Sequence, residues 1–285
     1  MRVLSSTITT LGLAALLGTT VMTSGCEFTK KVIAKDKLNQ GAIAYNGGKT
    51  KVAESYFKEA VDMVPNNAVA WLYYGATQYK TFQGLGADER KQVAPQVLDT
   101  FKKALDFSNN DCKIRDSALG YISSIYSDLD DTDNNIIWML KRADGECADK
   151  TTKAITYYSV GVKKWQCSNN QTNRYSDKKS QDPFHYRDMA YSPEALKDRD
   201  KAMQCANEGM QYIEKSLAED PQSPDSKFYK ALLYRELQYM TKEEPKRKEF
   251  GALAQKINDE AVALNKKKEA EKKAAEAAAA AASPQ

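Results

Sequence analysis

The chain has 285 residues, enough for one large or two small domains with a substantial core. Lysine and arginine number 42 against 38 aspartates and glutamates, a formal net charge of +4, and no compact basic stripe with interleaved aromatics occurs, which argues against nucleic acid as a partner. One histidine, His185, excludes a histidine-rich metal centre; no CxxC pair points to a zinc ribbon, and no Gly-rich phosphate loop or GxSxG motif points to an enzyme.

In chain order, residues 1–25 read as an export signal. Arg2 supplies a positive start, "LGLAALLGTTVM" is an apolar run too short for a comfortable membrane span, and small residues lead directly to Cys26. Thr23-Ser24-Gly25-Cys26 resembles the lipobox of bacterial lipoproteins, departing from it at Thr23, where the family usually has Leu. The resemblance implies cleavage before Cys26 by signal peptidase II, a diacylglycerol anchor on its thiol and a short tether over 26–33. With Glu27 rather than Asp next, it implies the outer membrane of a bacterial envelope, facing the periplasm. A soluble exported protein and a retained anchor are the alternatives. Loss of residues 1–25 removes only Arg2 among the charges, leaving +3.

From residue 34 to about 265 the chain reads as helix nearly throughout, with few Pro or Gly and apolar residues at three and four spacing. Gly41 and Gly75, each inside a predicted helix, lie 34 residues apart. Gly41, Ala53, Phe57, Ala60 and Pro65 in "GAIAYNGGKTKVAESYFKEAVDMVPNN", followed by Trp71 and Gly75 in "WLYYGATQYK", resemble a tetratricopeptide repeat running into the next. In such a repeat small residues let two antiparallel helices approach, a large side chain fills the gap and proline blocks continuation.

Later copies are looser. Phe101 and Ala104 follow Phe57 and Ala60 by 44 residues, so about ten are inserted, and the glycines of "QGLGADERKQ" mark the place. Gly120 opens a third copy with a short second helix in "NNIIWMLKRA", and Gly161 opens a fourth. The fourth is interrupted by a polar insertion over 167–191 and resumes with Ser192 as cap, Pro193 in the first turn and Pro221 closing. "SKFYKALLYRELQYM" and "EEPKRKEFGALAQKINDEAVALNKK" form a fifth. The resemblance implies an all-α, right-handed α-solenoid of about five helical hairpins over 34–265, with insertions in repeats two and four. The Ala/Lys/Glu-rich tail, 266–285, is expected to carry the last helix outward before fraying, either as a solvated extension or as one that touches a partner or peptidoglycan.

The family's groove positions fall on Tyr45, Tyr79, Tyr121, Tyr158, Trp165, Phe228 and Arg235, an aromatic lining suited to a peptide or partner helix; the same tyrosines also read as packing between repeats. Phe184, His185, Tyr186, Arg187 and Tyr191 cluster in the insertion, as a recognition patch or as a cover for the fourth hairpin. Apart from Cys26, four cysteines remain, read as two disulfides or as buried thiols; the repeat register favours Cys112 with Cys147 and Cys167 with Cys205. No cofactor is implied. The resulting expectation is a non-enzymatic, lipid-anchored envelope scaffold that binds another protein or a peptide. The alternative is an envelope receptor holding peptidoglycan, glycan or a peptide with the groove and the aromatic loop.

Overall fold

The computed structural model describes the backbone of residues 18–175 and 192–282, with side chains over 27–175 and 192–279. The Cys26 side chain and the whole cluster of Phe184, His185, Tyr186, Arg187 and Tyr191 lie outside the described residues.

The described residues form ten α-helices and no strand: α1 (Gly18–Asn46), α2 (Thr50–Met63), α3 (Ala68–Gln83), α4 (Ala87–Asp106), α5 (Cys112–Asp128), α6 (Thr132–Ala143), α7 (Lys150–Thr172), α8 (Pro193–Glu219), α9 (Pro224–Met240) and α10 (Glu244–Ala282). A short 3-10 turn, Asn173–Tyr175, follows α7. The chain divides into two compact units, Met1–Asp131 and Thr132–Gln285. The boundary falls in the turn between α5 and α6, the two helices expected to make the third hairpin.

In the first unit α1 packs on α2, α2 on α3, α3 on α4, and α5 on both α3 and α4. The first hairpin turns at Gly47-Gly48, where Gly48 takes φ +74°, a left-handed value that other residues resist. Helix α2 then buries Ala53, Phe57, Ala60 and Val61 on one face. It stops before Pro65, and the turn is fixed from the far side: Trp71 Nε1 donates to Pro65 O at 2.7 Å and Asn67 Oδ1 caps α3 by accepting from Ala70 N.

The contact that sets the hairpin is between a glycine and a large side chain. A Cβ placed on Gly41 would stand 2.5 Å from the Phe57 ring, and one on Gly75 would stand 2.8 Å from Phe101. Phe57 and Phe101 are 1% and 0% exposed, and Ala60 and Ala104, three residues further on, are both at 0%. The second repeat therefore keeps the register of the first. Its extra residues are not a loop: only Gly84, Leu85 and Gly86 lie between α3 and α4, and the rest of "QGLGADERKQ" belongs to the two helices. The added length goes mainly into α4, 20 residues against 14 in α2, and Glu89 secures its start by accepting from Gly86 N at 3.2 Å.

In the second unit α6 packs on α7, α7 and α8 form the most extensive pair, and α9 lies against α7, α8 and α10. Moving 156 residues along from the first hairpin converts Ala53, Phe57, Ala60 and Pro65 into Gly209, Ile213, Ser216 and Pro221. The geometry follows the substitution. A Cβ on Gly161 would meet Ile213 Cδ1 at 2.5 Å, and Ile213 is 0% exposed. Ser216, in alanine's place, is buried but satisfied, since its hydroxyl lies 2.8 Å from Ala154 O and 2.9 Å from Ser226 Oγ. So the fourth copy, which fits the pattern poorly in sequence, is a full hairpin of the same kind. Ser192 Oγ caps α8 through Ala195 N, with Pro193 in the first turn, as expected.

Two segment boundaries differ from the sequence reading, and a third element follows it. Residues 26–33, read as a tether, continue α1. Helix α7 runs five residues past Cys167, so 167–172 of the insertion are helical, because Ser168, Gln171 and Thr172 find buried places in the unit. As expected, helix α10 continues outward, to Ala282, and beyond Leu264 its described side chains, through Ala279, are exposed. Alanine, lysine and glutamate carry it there by propensity, with Lys267–Glu271 and Lys272–Glu276 pairs at i, i+4.

Cys167 and Cys205 form a disulfide with Cα atoms 5.9 Å apart, joining α7 to α8 as the register requires. Cys112 and Cys147 are both disulfide-bonded too.

Gly41→Ala tests the central contact, because two effects oppose each other. Helix propensity favours alanine by about 1 kcal/mol. Overlap with a ring that has no room to move costs about 1–3 kcal/mol. Net destabilisation in thermal denaturation is expected, and Phe57→Leu in the same chain should recover part of it. Gly84→Ala, at a right-handed φ of −81° with its nearest neighbour at 3.4 Å, should be neutral or stabilising.

Candidate partner-binding face

Tyr45, Tyr79, Trp165 and Arg235 occupy one register position, four residues after Gly41, Gly75, Gly161 and Ala231. The structure gives them four environments. Tyr45 lies half-buried under Lys80, whose Nζ is 5.1 Å from the ring centre. Tyr79 donates its hydroxyl to Asp128 at 2.8 Å and packs edge-on to Tyr121, which stacks on Phe101 at 4.7 Å. Burial first, and then the bond to Asp128, pushes the Tyr79 pKa up to about 12. Tyr79 and Tyr121 thus join α3 to α5, and their main work is packing. Arg235 is exposed, with a long 3.5 Å contact to Gln255 Oε1.

Trp165 belongs to a different arrangement. On α7 and α9 of the second unit, Tyr158, Trp165 and Phe228 all set their rings edge-on against one ring, Tyr229, at centroid distances of 5.5, 5.4 and 5.8 Å. Phe228 is 44% exposed, and Ile155, one turn from Tyr158, is 60% exposed. The Trp165 Nε1 is buried without a hydrogen-bond partner among the described residues. Tyr158 has its pKa raised chiefly by burial. Beside Ile155 and Tyr158 opens a cleft of about 290 Å³, with Asp220, Asp225 and Lys268 on its walls. This face offers an aromatic floor and a charged margin, the composition of a surface that holds apolar side chains of another chain.

The sequence reading missed Tyr229, the hub of the cluster. Its signal was present: Tyr229 stands eight residues after Pro221, as Tyr73 stands eight after Pro65. Tyr73 likewise stacks on Phe57 at 5.4 Å while remaining 46% exposed.

Behind the aromatic face lies one buried carboxylate. Glu236 on α9, 3% exposed, accepts from Ser168 Oγ, Asn169 Nδ2 and Thr172 Oγ1 at 3.3, 3.0 and 2.8 Å, all from the end of α7. Burial raises its pKa, and the three donors pull the other way. Among the described residues no group of three or more His, Cys, Asp or Glu could hold a metal ion, and no helix is long and apolar enough to cross a membrane.

No family model and no curated protein matches the chain. Solved structures do resemble it. The MamA protein is 16% identical, over 83% of this chain and 93% of that one, with a TM-score of 0.46. YrrB, described as a TPR protein with an unusual peptide-binding site, is 12% identical over 81% and 90%, at 0.42. The TPR2AB domain of yeast Sti1, in complex with pHSP90, is 14% identical over 85% and 96%, at 0.34. The repeat architecture described here rests on the glycine contacts and the shared register.

Glu236→Ala should destabilise the chain by about 1–3 kcal/mol in urea denaturation, because Ser168 and Asn169 lose their acceptor in a buried place. Its raised pKa also fixes a sign. A carboxyl that titrates higher in the folded chain adds stability below its ordinary pKa and loses that contribution as the pH rises through the raised value. Glu236→Gln should therefore flatten the fall in stability on the alkaline side of the ordinary carboxylate range.

Proposed function

We propose that the protein is a non-catalytic docking scaffold that holds a segment of a partner protein or peptide on the first helices of its hairpins, with the principal contact on α7 and α9. The observation that carries this reading is the cluster of Tyr158, Trp165, Phe228 and Tyr229 beside the exposed Ile155. A half-buried aromatic group of this kind, open on one side, is where binding energy concentrates in protein interfaces. Tyr79, tied to Asp128, supports the scaffold from within rather than the partner.

The scaffold belongs to the bacterial envelope in this reading. Support comes from the sequence: the Arg2 start, the apolar run and Thr23-Ser24-Gly25-Cys26. A diacylglycerol on Cys26 tethers the chain to the outer membrane, and the partner is met in the periplasm.

Crosslinking the full chain in its native envelope, followed by mass spectrometry, identifies the partner. Trp165→Ala and Phe228→Ala should each lower its recovery about tenfold or more, the loss expected when an interface anchor is removed. Equal recovery from folded variants rules the aromatic face out. Separately, Cys26→Ser should move the exported chain from the membrane to the soluble fraction; unchanged membrane retention rules the anchor out.

A further inference from the structure

A second concavity lies on the other side of α7. Residues 163, 167, 170 and 171 share one stripe of that helix, and Cys167 stands two residues, or about 200° of rotation, from Trp165. Together with the first turn of α6 and Lys201 of α8, this stripe encloses a cleft of about 400 Å³. Its size is that of a small-molecule site, but its lining is not that of an apolar ligand.

Three lysines line it: Lys163 and Lys164 from α7, and Lys201 from α8. Lys164 is paired with Glu208 at 2.5 Å. Lys163 and Lys201 form no ion pair among the described residues, and Asp133 is the one carboxylate on the wall. The remaining lining is dominated by side-chain amides, from Gln166, Asn170 and Gln171, which both donate and accept. Cys167 also opens onto the cleft, and its bond to Cys205, one turn beyond Lys201 on α8, ties the wall that carries Lys163 to the wall that carries Lys201. An anion bound in the cleft would be attracted to both lysines.

We propose that the cleft between α6, α7 and α8 is a binding site for a small hydroxyl-bearing anion, a sugar carboxylate or a sugar phosphate. The lysines take the charged group and the amides take the hydroxyls. The site is separate from the aromatic face and does not depend on the docking reading.

Titration of the full chain by calorimetry, with glucuronate, glucose 6-phosphate, glucose and acetate as probes, tests it. Saturable binding at one site is expected for glucuronate or glucose 6-phosphate, with glucose and acetate each about tenfold weaker or more. The tighter of the two sugar anions names the charged group. Lys163→Gln combined with Lys201→Gln should weaken the sugar anion about tenfold with the thermal midpoint unchanged. Breaking the disulfide with Cys167→Ser and Cys205→Ser should also weaken it while leaving every lysine in place. If the cysteine variant does not fold, the lysine variant alone decides. The proposal is overturned if neither sugar anion saturates, if glucose binds as well, if acetate matches the sugar anions as bare surface charge would make it do, or if the lysine variant binds unchanged.

Discussion

Three of the hairpins depend on one close approach, that of a helix with no side chain at one point to a helix that sets a large buried side chain there. Gly41 receives Phe57, Gly75 receives Phe101 and Gly161 receives Ile213. The contact sets the distance between the helices, and the distance sets how much of the flanking alanine surface is removed from water. Ala60 and Ala104, three residues after the two rings, are fully buried. A hairpin made this way still has an open side, so each needs the next one, and the packing of α2 on α3 and of α8 on α9 supplies it.

Where the second unit departs from the alanine pattern, it replaces apolar contact with polar groups that satisfy one another. Ser216 and Ser226 stand where Ala60 and Ala70 stand in the first hairpin, and their hydroxyls meet at 2.9 Å. Glu236 is the more demanding case, a carboxylate taken out of water without a cation. Three neutral donors from α7 offset that cost in part, and the raised pKa records what is left. Such a network is expensive if any member is missing, so it specifies one placement of the end of α7 on α9.

The first hairpin and its period were legible from the sequence because glycine, phenylalanine, alanine and proline fall there in their usual places. The fourth was harder for a physical reason. The contact needs a small residue opposite a large one and does not need phenylalanine, and Ile213 with Gly209 and Ser216 meets that need in letters the pattern does not contain. The correct disulfide between Cys167 and Cys205 followed from the register alone. Helix ends were less legible: residues 167–172 look like loop because they are polar, yet Ser168 and Thr172 are polar in order to serve Glu236, 64 to 68 residues away. The aromatic face was seen only in part, since a list of register positions finds Trp165 and Phe228 and passes over Tyr229, whose importance comes from being the ring on which the others converge.

The same residues that made α7 longer than expected also fix its C-terminal end within the second unit. Cys167 is bonded to α8, Glu236 holds Ser168, Asn169 and Thr172 against α9, and Asp198 on α8 accepts from Tyr175 Oη at 2.7 Å and from Arg174 Nη1 at 3.3 Å. The start of α8 is equally defined, by Ser192 as its cap. Covalent bond, buried network and surface contacts thus act within nine residues of one another, far more restraint than is needed to close a hairpin that Gly161 and Ile213 already hold. That concentration makes sense if the end of α7 must keep its rotation about its own axis, because the rotation decides which residues face α9 and which face α6. In the setting observed, α7 presents Tyr158 and Trp165 to Tyr229 and, on its far side, lines with Lys163 the cleft that Lys201 also lines.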